Sequence, residues 1–442
     1  MSEPKQIAVI VAGIDEEYQN SVIDGISAAA KKMNANVACF AAFGGVIASG
    51  KYDIGEYNIY QLVNYDLFDG VILMTNTVCD INEKKKIINR VKEAGIPAIT
   101  LDGDDDPDFY NIEIDNTKAM RDIVQHVIKE HGAQIINYIS GPLSNPEAQD
   151  RYEAYLHVMA ENKLIVDARR VYFGEFRAVD GERAVEDLFQ SRLPLPDAII
   201  CANDAMALGA IRMLEKHGRR VPEDILVTGF DNTYNARHHY PALTSVARPL
   251  FKVGYKACEM IIRAAGGETC EKTAHFRAAP VFSESCGCRN AVKEDLKRYK
   301  ISTFKVINSC RSDISMLNRI TSELAETETV EESLNVIGKF LHELDCEQCC
   351  LCLCSEWKGS ITGRSTDYQI HGYTKTMSAP LIWTKDGIGT VDSFPSAQMF
   401  PVPIEGTGNI SYFLPLHFRE RCLGYYVITN SQFPTKSMLC IR

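Results

Sequence analysis

Eight short apolar runs, each leading into an amphipathic helical pattern, fill residues 5–285 of this 442-residue chain and restrict its fold more than any other feature. The runs are Ile7–Ala12, Val37–Ala42, Gly70–Met74, Ala98–Leu101, Ile135–Ser140, Arg170–Phe173, Ala198–Ala202 and Leu226–Phe230. Helical spacing lies between them. In residues 17–33, for example, Tyr18, Val22, Ile26, Ala29, Ala30 and Met33 recur on one face. Strands that are apolar throughout, each followed by a helix, are buried on both sides. That predicts parallel sheets in an α/β fold. Eight β/α units suit two doubly wound lobes better than one.

The texture changes after Cys288. Residues 291–327 carry no Gly or Pro and no strand signal, and Ile307, Cys310, Ile314, Leu317, Thr321 and Leu324 alternate spacings of three and four. This predicts a long helix with a heptad seam, polar at Thr321, that pairs with a second copy or packs on its own domain. A further helix (Val330–Leu344) then precedes strand-like runs at Cys349–Cys354, Ala379–Trp383, Ser411–Leu416 and Cys422–Thr429. They predict an α+β module of about 110 residues, in keeping with a length prior of about three domains. An output domain is expected beyond Arg442.

Composition removes several function classes. A chain that is 45% apolar and 24% charged is globular rather than disordered or fibrous. A net charge of −11 without an extended basic run argues against nucleic acid as a direct partner. The first apolar run lacks a basic leader, and no stretch approaches the ~20 apolar residues of a membrane span. Fifteen cysteines without an export signal suit reduced thiols, so the expected compartment is the cytoplasm.

Several motifs imitate chemistry. Gly45–Lys51 has P-loop spacing, but Tyr52 stands where a Ser or Thr hydroxyl would hold magnesium. Asp102, Asp104, Asp106 and Glu113 fit a calcium-loop register in which the obligatory glycine is replaced by Pro107. Cys346, Cys349, Cys350, Cys352 and Cys354 suggest a metal or redox cluster. As a strand, the segment would instead point Cys350, Cys352 and Cys354 together into a core. Cys286-Gly287-Cys288 is a second thiol pair, read as a domain-end turn with metal or redox use left open. No catalytic constellation emerges, and no cofactor is expected.

What remains is a series of polar residues just after strands: Asp15 and Tyr18, Thr75 and Asn76, Asp102, Arg151, Asn203 and Asp204, and Asp231 and Asn232. Ligands of doubly wound folds bind beyond the carboxyl ends of the strands. Any single member is equally a turn former or helix N-cap. The expected ligand-binding set is Asp15, Tyr18, Thr75, Asn76, Asp102, Arg151, Phe176, Asn203, Asp204 and Asp231.

The segments IAVIV, VIDGISAAAKK, FDGVILM, PAITLD, NIEIDN, ISGPLSNPEAQDRYEAY, AIICANDAMALGAIRMLEKHG, VPEDILVTGFDNT and PALTSVARPLFKVGYKA resemble the effector-binding core of LacI/GalR-type regulators. That core is itself related to periplasmic sugar-binding proteins. The resemblance implies a two-lobed, periplasmic-binding-protein-like domain over 1–289, with crossovers near Asp115, Leu243 and Val281. A small sugar- or nucleoside-like effector would close the cleft between the lobes. It also implies that Arg151 grips ligand hydroxyls, that Asp231 accepts hydrogen bonds, and that Asn203 lies in the matching loop. Asp15 and Tyr18 stand where the family has an Asn-Pro-aromatic turn, here without its proline. The expectation is that a helix-turn-helix head is absent at the N-terminal end.

Residues 329–442, with SYFLPLHFRERCLGYYVIT, resemble a GAF-type module, and 290–328 form the helical linker. That order is similar to input regions of bacterial signalling proteins ending in a GGDEF diguanylate cyclase. The expectation is a non-enzymatic, cytoplasmic, homodimeric sensor, with a cyclase or transcription regulator as output. The competing expectations are a nucleotide-binding enzyme using residues 45–51 and a transport-type solute receptor.

Overall fold

The computed structural model describes residues 3–14, 16–43, 55–78, 80–101, 103, 106–289, 296–343, 346–355, 357 and 372–431. Strands β1 (Gln6–Ala12), β2 (Asn36–Ala42), β3 (Gly70–Leu73) and β4 (Ala98–Leu101) alternate with helices α1 (Glu17–Met33) and α2 (Ile81–Ala94). Then follow β5 (Tyr110–Asp115), α3 (Asn116–Lys129), β6 (Ile136–Ser140), α4 (Pro146–Glu161) and β7 (Val171–Phe173). Next are α5 (Ala178–Gln190), β8 (Ala198–Cys201), α6 (Asp204–Lys216) and β9 (Leu226–Thr228). Strand β10 (Ser245–Ala247), helix α7 (Leu250–Ala265), β11 (Thr273–Arg277) and β12 (Ala279–Val281) precede the long helix α8 (Leu296–Ala325) and α9 (Val330–Phe340). The last strands are β13 (Gln348–Cys354), β14 (Thr376–Thr384), β15 (Gly387–Pro395), β16 (Ile410–Phe418) and β17 (Arg421–Thr429).

Two compact units result. One contains residues 1–110, 254–272 and 294–442; the other contains 111–253 and 273–293. The chain passes between them four times, at 110–111, 253–254, 272–273 and 293–294. Strands β10 and β12, beside the passages expected near Leu243 and Val281, pair antiparallel with each other.

In the first unit β1 lies between β2 and β3, and β3 pairs with β4, all parallel. Residues Ile7–Ala12 are almost wholly buried, as their unbroken apolar run requires. Helix α1 covers the sheet with Val22, Ile23, Ile26, Ala29 and Ala30 and ends at Asn34 in the left-handed region. The C-terminal strands form an antiparallel array in the order β16-β17-β13-β14-β15. They do not stand apart from the first lobe. Strand β16 pairs parallel with β2, and Phe413 stacks on Phe40 at 4.6 Å. Cys350, Cys352 and Cys354 lie in this shared core, as alternation along the strand predicts.

Helix α8 packs differently from its predicted seam. Met316 and Ile320 are buried, and Arg319 reaches α9 and the turn after it, lying over the Phe340 ring and bonding Glu343. Ile307 and Ile314 of the seam stay 45% and 58% exposed within the chain.

The second unit is a four-stranded parallel sheet, β7-β6-β8-β9, accompanied by the parallel pair β5-β11 and the β10-β12 ladder. Asn145 caps α4 through a bond from the Ala148 amide, with Pro146 at the first helical position. Asn203 caps α6 in the same way through the Met206 amide. These caps fix where Arg151 and the 203–204 segment lie at the carboxyl ends of the strands.

Candidate functional site

In the second unit the candidate residues converge on one buried ion network. Arg151, one turn and a half into α4, is 2% exposed. Its guanidinium donates to the Ala202 carbonyl at the end of β8 (2.8 Å) and to Glu147 (2.5 Å), and lies over the Phe230 ring at 4.0 Å. Glu147 also accepts from Arg248 at 2.9 Å, and Arg248 reaches Asp231 at 3.4 Å. Two guanidinium groups thus share one carboxylate, and a second carboxylate stands beside them. Burial raises the Asp231 carboxyl, while the positive charges of Arg151 and Arg248 pull it back.

The backbone here is unusual. Asp231 has φ +105°, Asn232 +51° and Phe176 +64°, all left-handed values that side chains rarely adopt. The Asp231 amide bonds to the Val246 carbonyl (3.1 Å) and the Asn232 amide to the Ser245 hydroxyl (2.9 Å), so β10 holds this loop. The Phe176 carbonyl accepts from Asn203 at 2.8 Å. Such strain collects at functional sites, where neighbouring structure enforces it.

Buried polar atoms at these strand ends without a hydrogen-bond partner among the described residues include Arg151 Nε, Ser140 Oγ, Asn232 Oδ1 and Thr228 Oγ1. Ser140 ends β6, Arg151 is bonded to the end of β8, and Asn232 follows β9. Buried donors and acceptors are ordinarily satisfied, so several in one register call for a ligand or ordered water.

Other candidates are engaged inside the fold. Asp204 is 1% exposed; one oxygen accepts from Ser245 (2.5 Å) and the other from the Thr233 amide (2.7 Å). Burial, then the nearby Asp231 charge, lifts its carboxyl to about 8 against the pull of those two donors. Both side-chain ends of Asn203 are committed, one to the Met206 amide and one to Phe176. The geometry gives Asp204 and Asn203 the job of holding the loops that carry Asp231 and Phe176.

In the first unit, Tyr18 of α1 accepts a hydrogen bond from Asn76 at 3.0 Å. Asn76 and the buried Thr75 sit in the short 3-10 turn after β3, pinned to β1 by a bond from the Ala12 amide to Thr77 (2.9 Å). Asp15, Asp102 and the whole Gly45–Lys51 segment lie outside the described residues.

Glu147 and Arg248 were absent from the sequence-derived set. Their signals were present as the i,i+4 pair Glu147–Arg151 on one helix and the Arg of the LTSVARP segment. Neither signal alone says that the two sites share a carboxylate.

Residues 124–286 match the family model of the periplasmic binding protein-like domain. The HTH-type transcriptional regulator RegA of Clostridium acetobutylicum is 27% identical over 264 residues, 59% of this chain and 75% of that protein. The HTH-type transcriptional repressor PurR of Klebsiella pneumoniae is 31% identical over 196 residues, covering 44% of this chain and 56% of the repressor. Among solved structures, the transcriptional regulator CelR–cellobiose complex superposes with a TM-score of 0.54 at 25% identity, over 64% of this chain and 86% of that one. The lac repressor dimer bound to operator and an anti-inducer shares the fold, with a TM-score of 0.53 at 21% identity, over 64% of this chain and 94% of that one. The chain therefore carries an α/β, two-lobed, periplasmic-binding-protein-like domain with the fold of LacI-type regulators.

Proposed function

We propose that this chain is the effector-binding part of a non-enzymatic regulator whose ligand is a small, hydroxyl-rich molecule such as a sugar or nucleoside. The observation that carries this reading is the row of buried, unpartnered polar atoms on Ser140, Arg151 and Asn232 beside the strained Asp231. Arg151 supplies a charged donor already oriented by Ala202 and Glu147, and Asp231 supplies the acceptor. A paired donor and acceptor in fixed positions suits vicinal hydroxyls. The cellobiose held by the similar CelR supports the sugar class. The relatives' names favour transcription over cyclic-nucleotide synthesis as output. We further propose a homodimer in which α8 pairs with its copy through Ile307 and Ile314. The C-terminal antiparallel sheet with α9 would serve as a GAF-like relay.

Calorimetry with cellobiose, glucose, ribose, adenosine and cytidine tests the ligand class. At least one should bind, and Arg151→Ala should weaken it by about 1.5–3 kcal/mol, the worth of a hydrogen bond to a charged group. A ligand that binds wild type and Arg151→Ala equally removes Arg151 from the site.

A further inference from the structure

Cys286 and Cys288, together with two histidines far away in sequence, meet at a place that the effector site does not use. His126 lies in the last turn of α3, and His131 follows just beyond the end of that helix. Cys286 and Cys288 flank Gly287, whose φ of +88° only glycine adopts without strain and which lets both thiols face the same way. The ligating atoms of all four side chains lie within 4.8 Å of one another.

The individual distances carry more information. His126 Nε2 is 3.1 Å from His131 Nε2, 3.3 Å from Cys288 Sγ and 3.8 Å from Cys286 Sγ, and Cys288 Sγ is 3.5 Å from His131 Nε2. A tetrahedral ion bound by two imidazoles and two thiolates has edges of about 3.3 Å between nitrogens and about 3.6 Å between nitrogen and sulfur. Four of the six edges are thus within a few tenths of an ångström of these values, and the other two are no longer than 4.8 Å.

The surroundings also suit a metal. The His126 ring stacks on Phe282 at 3.7 Å, which fixes its orientation. Thr244 donates its hydroxyl to Cys286 Sγ at 2.9 Å, an outer-shell bond of the kind that supports a thiolate ligand. The turn bearing the cysteines is held by the Ser285 hydroxyl, which donates to Val227 and accepts from the Thr244 amide. Cys286 is fully buried, whereas His126, His131 and Cys288 are partly exposed and leave an entry path.

We propose that His126, His131, Cys286 and Cys288 form a tetrahedral site for a zinc-class divalent cation. Both thiols bind as thiolates and give their protons to solvent, and both imidazoles bind through Nε2 with the proton on Nδ1. No electron is transferred. With four protein ligands the site has no open position for substrate, so its role is structural. It ties the end of α3 to the segment after β12 and stabilises the second unit only when metal is present.

Cobalt(II) titration of the whole chain, metal-free and under reductant, tests this. One equivalent should give the visible bands of tetrahedral cobalt with a thiolate charge-transfer band. Zinc should abolish both, and binding should release both thiol protons and raise Tm. Cys288→Ser and His131→Gln, changes at partly exposed positions, should each weaken binding by at least about 100-fold, more than loss of an outer-shell partner costs. Cys350→Ser should leave it unchanged. A hexacoordinate cobalt spectrum, or tetrahedral bands that survive in Cys288→Ser and His131→Gln, would overturn the assignment.

Discussion

Asp204, named from its place after a strand, is held by hydrogen bonds inside the fold. Its position after a strand made it a ligand candidate, and Asn203 before it reads as a helix cap. The structure buries Asp204 and spends one oxygen on Thr233 of the loop that carries Asp231 and the other on Ser245 of β10. Arg151 was legible because one motif contains it, whereas its partner Arg248 sits 97 residues away, and no local pattern reports a shared carboxylate. The raised Asp204 carboxyl makes a pH prediction with a definite sign. In the unfolded chain an aspartate ionises near pH 4, while in the fold Asp204 keeps its proton up to about 8. Between those values the folded form binds more protons than the unfolded form, so stability falls as pH rises and stops falling above about 8. Asp204→Asn removes that dependence. The Tm difference, wild type minus Asp204→Asn, should therefore shrink or change sign from about pH 5 to about pH 8. A difference independent of pH means that Asp204 is ionised throughout.

At the scale of elements, all eight apolar runs became strands; seven are largely buried, as an apolar run covered on both faces requires, while β7 is half-exposed. Strands β5, β10, β11, β12 and β15 escaped notice. Two are three residues long, and β5 and β11 mix charged and apolar residues as half-exposed strands do. Helix contacts were equally hidden. A Cβ on Gly209 of α6 would lie 1.9 Å from the Ala178 carbonyl oxygen of α5, and one on Gly181 of α5 would lie 1.9 Å from the Met206 carbonyl. The two helices cross backbone to backbone through these glycines. Alanine would gain about 1 kcal/mol of helix propensity at Gly209. The clash is with backbone that cannot swing aside, so the overpacking cost should win, at the upper end of about 1–3 kcal/mol net. Urea unfolding should show a lower midpoint with an unchanged slope. A Gly209→Ala protein as stable as wild type would mean that the helices can separate freely.

At the scale of the whole molecule, the sequence separated the C-terminal module from the first lobe because their textures differ. In the structure β16 lies on the edge of β2 and joins the two sheets into one. Nothing in either strand announces this, since both are apolar runs and edge pairing is decided by which backbone arrives, not by local pattern. The join does cover an apolar edge that would otherwise invite another chain. Helix α8 retains such an invitation. It buries Met316 and Ile320 against its own unit, yet Ile301, Phe304, Ile307 and Ile314 remain between 45% and 64% exposed along one broad face. Leaving that face in water costs roughly 25 cal/mol per Å² of apolar surface, which a second copy of the helix would recover. Because Ile307 and Ile314 are 45% and 58% exposed within the chain, replacing both with Glu should preserve the fold and convert dimers to monomers. Sedimentation of wild type and of Ile307→Glu/Ile314→Glu, with circular dichroism as the check on folding, decides it. A double variant that remains dimeric while folded would move the interface elsewhere, and a wild type that stays monomeric at tens of micromolar would leave α8 without a partner helix.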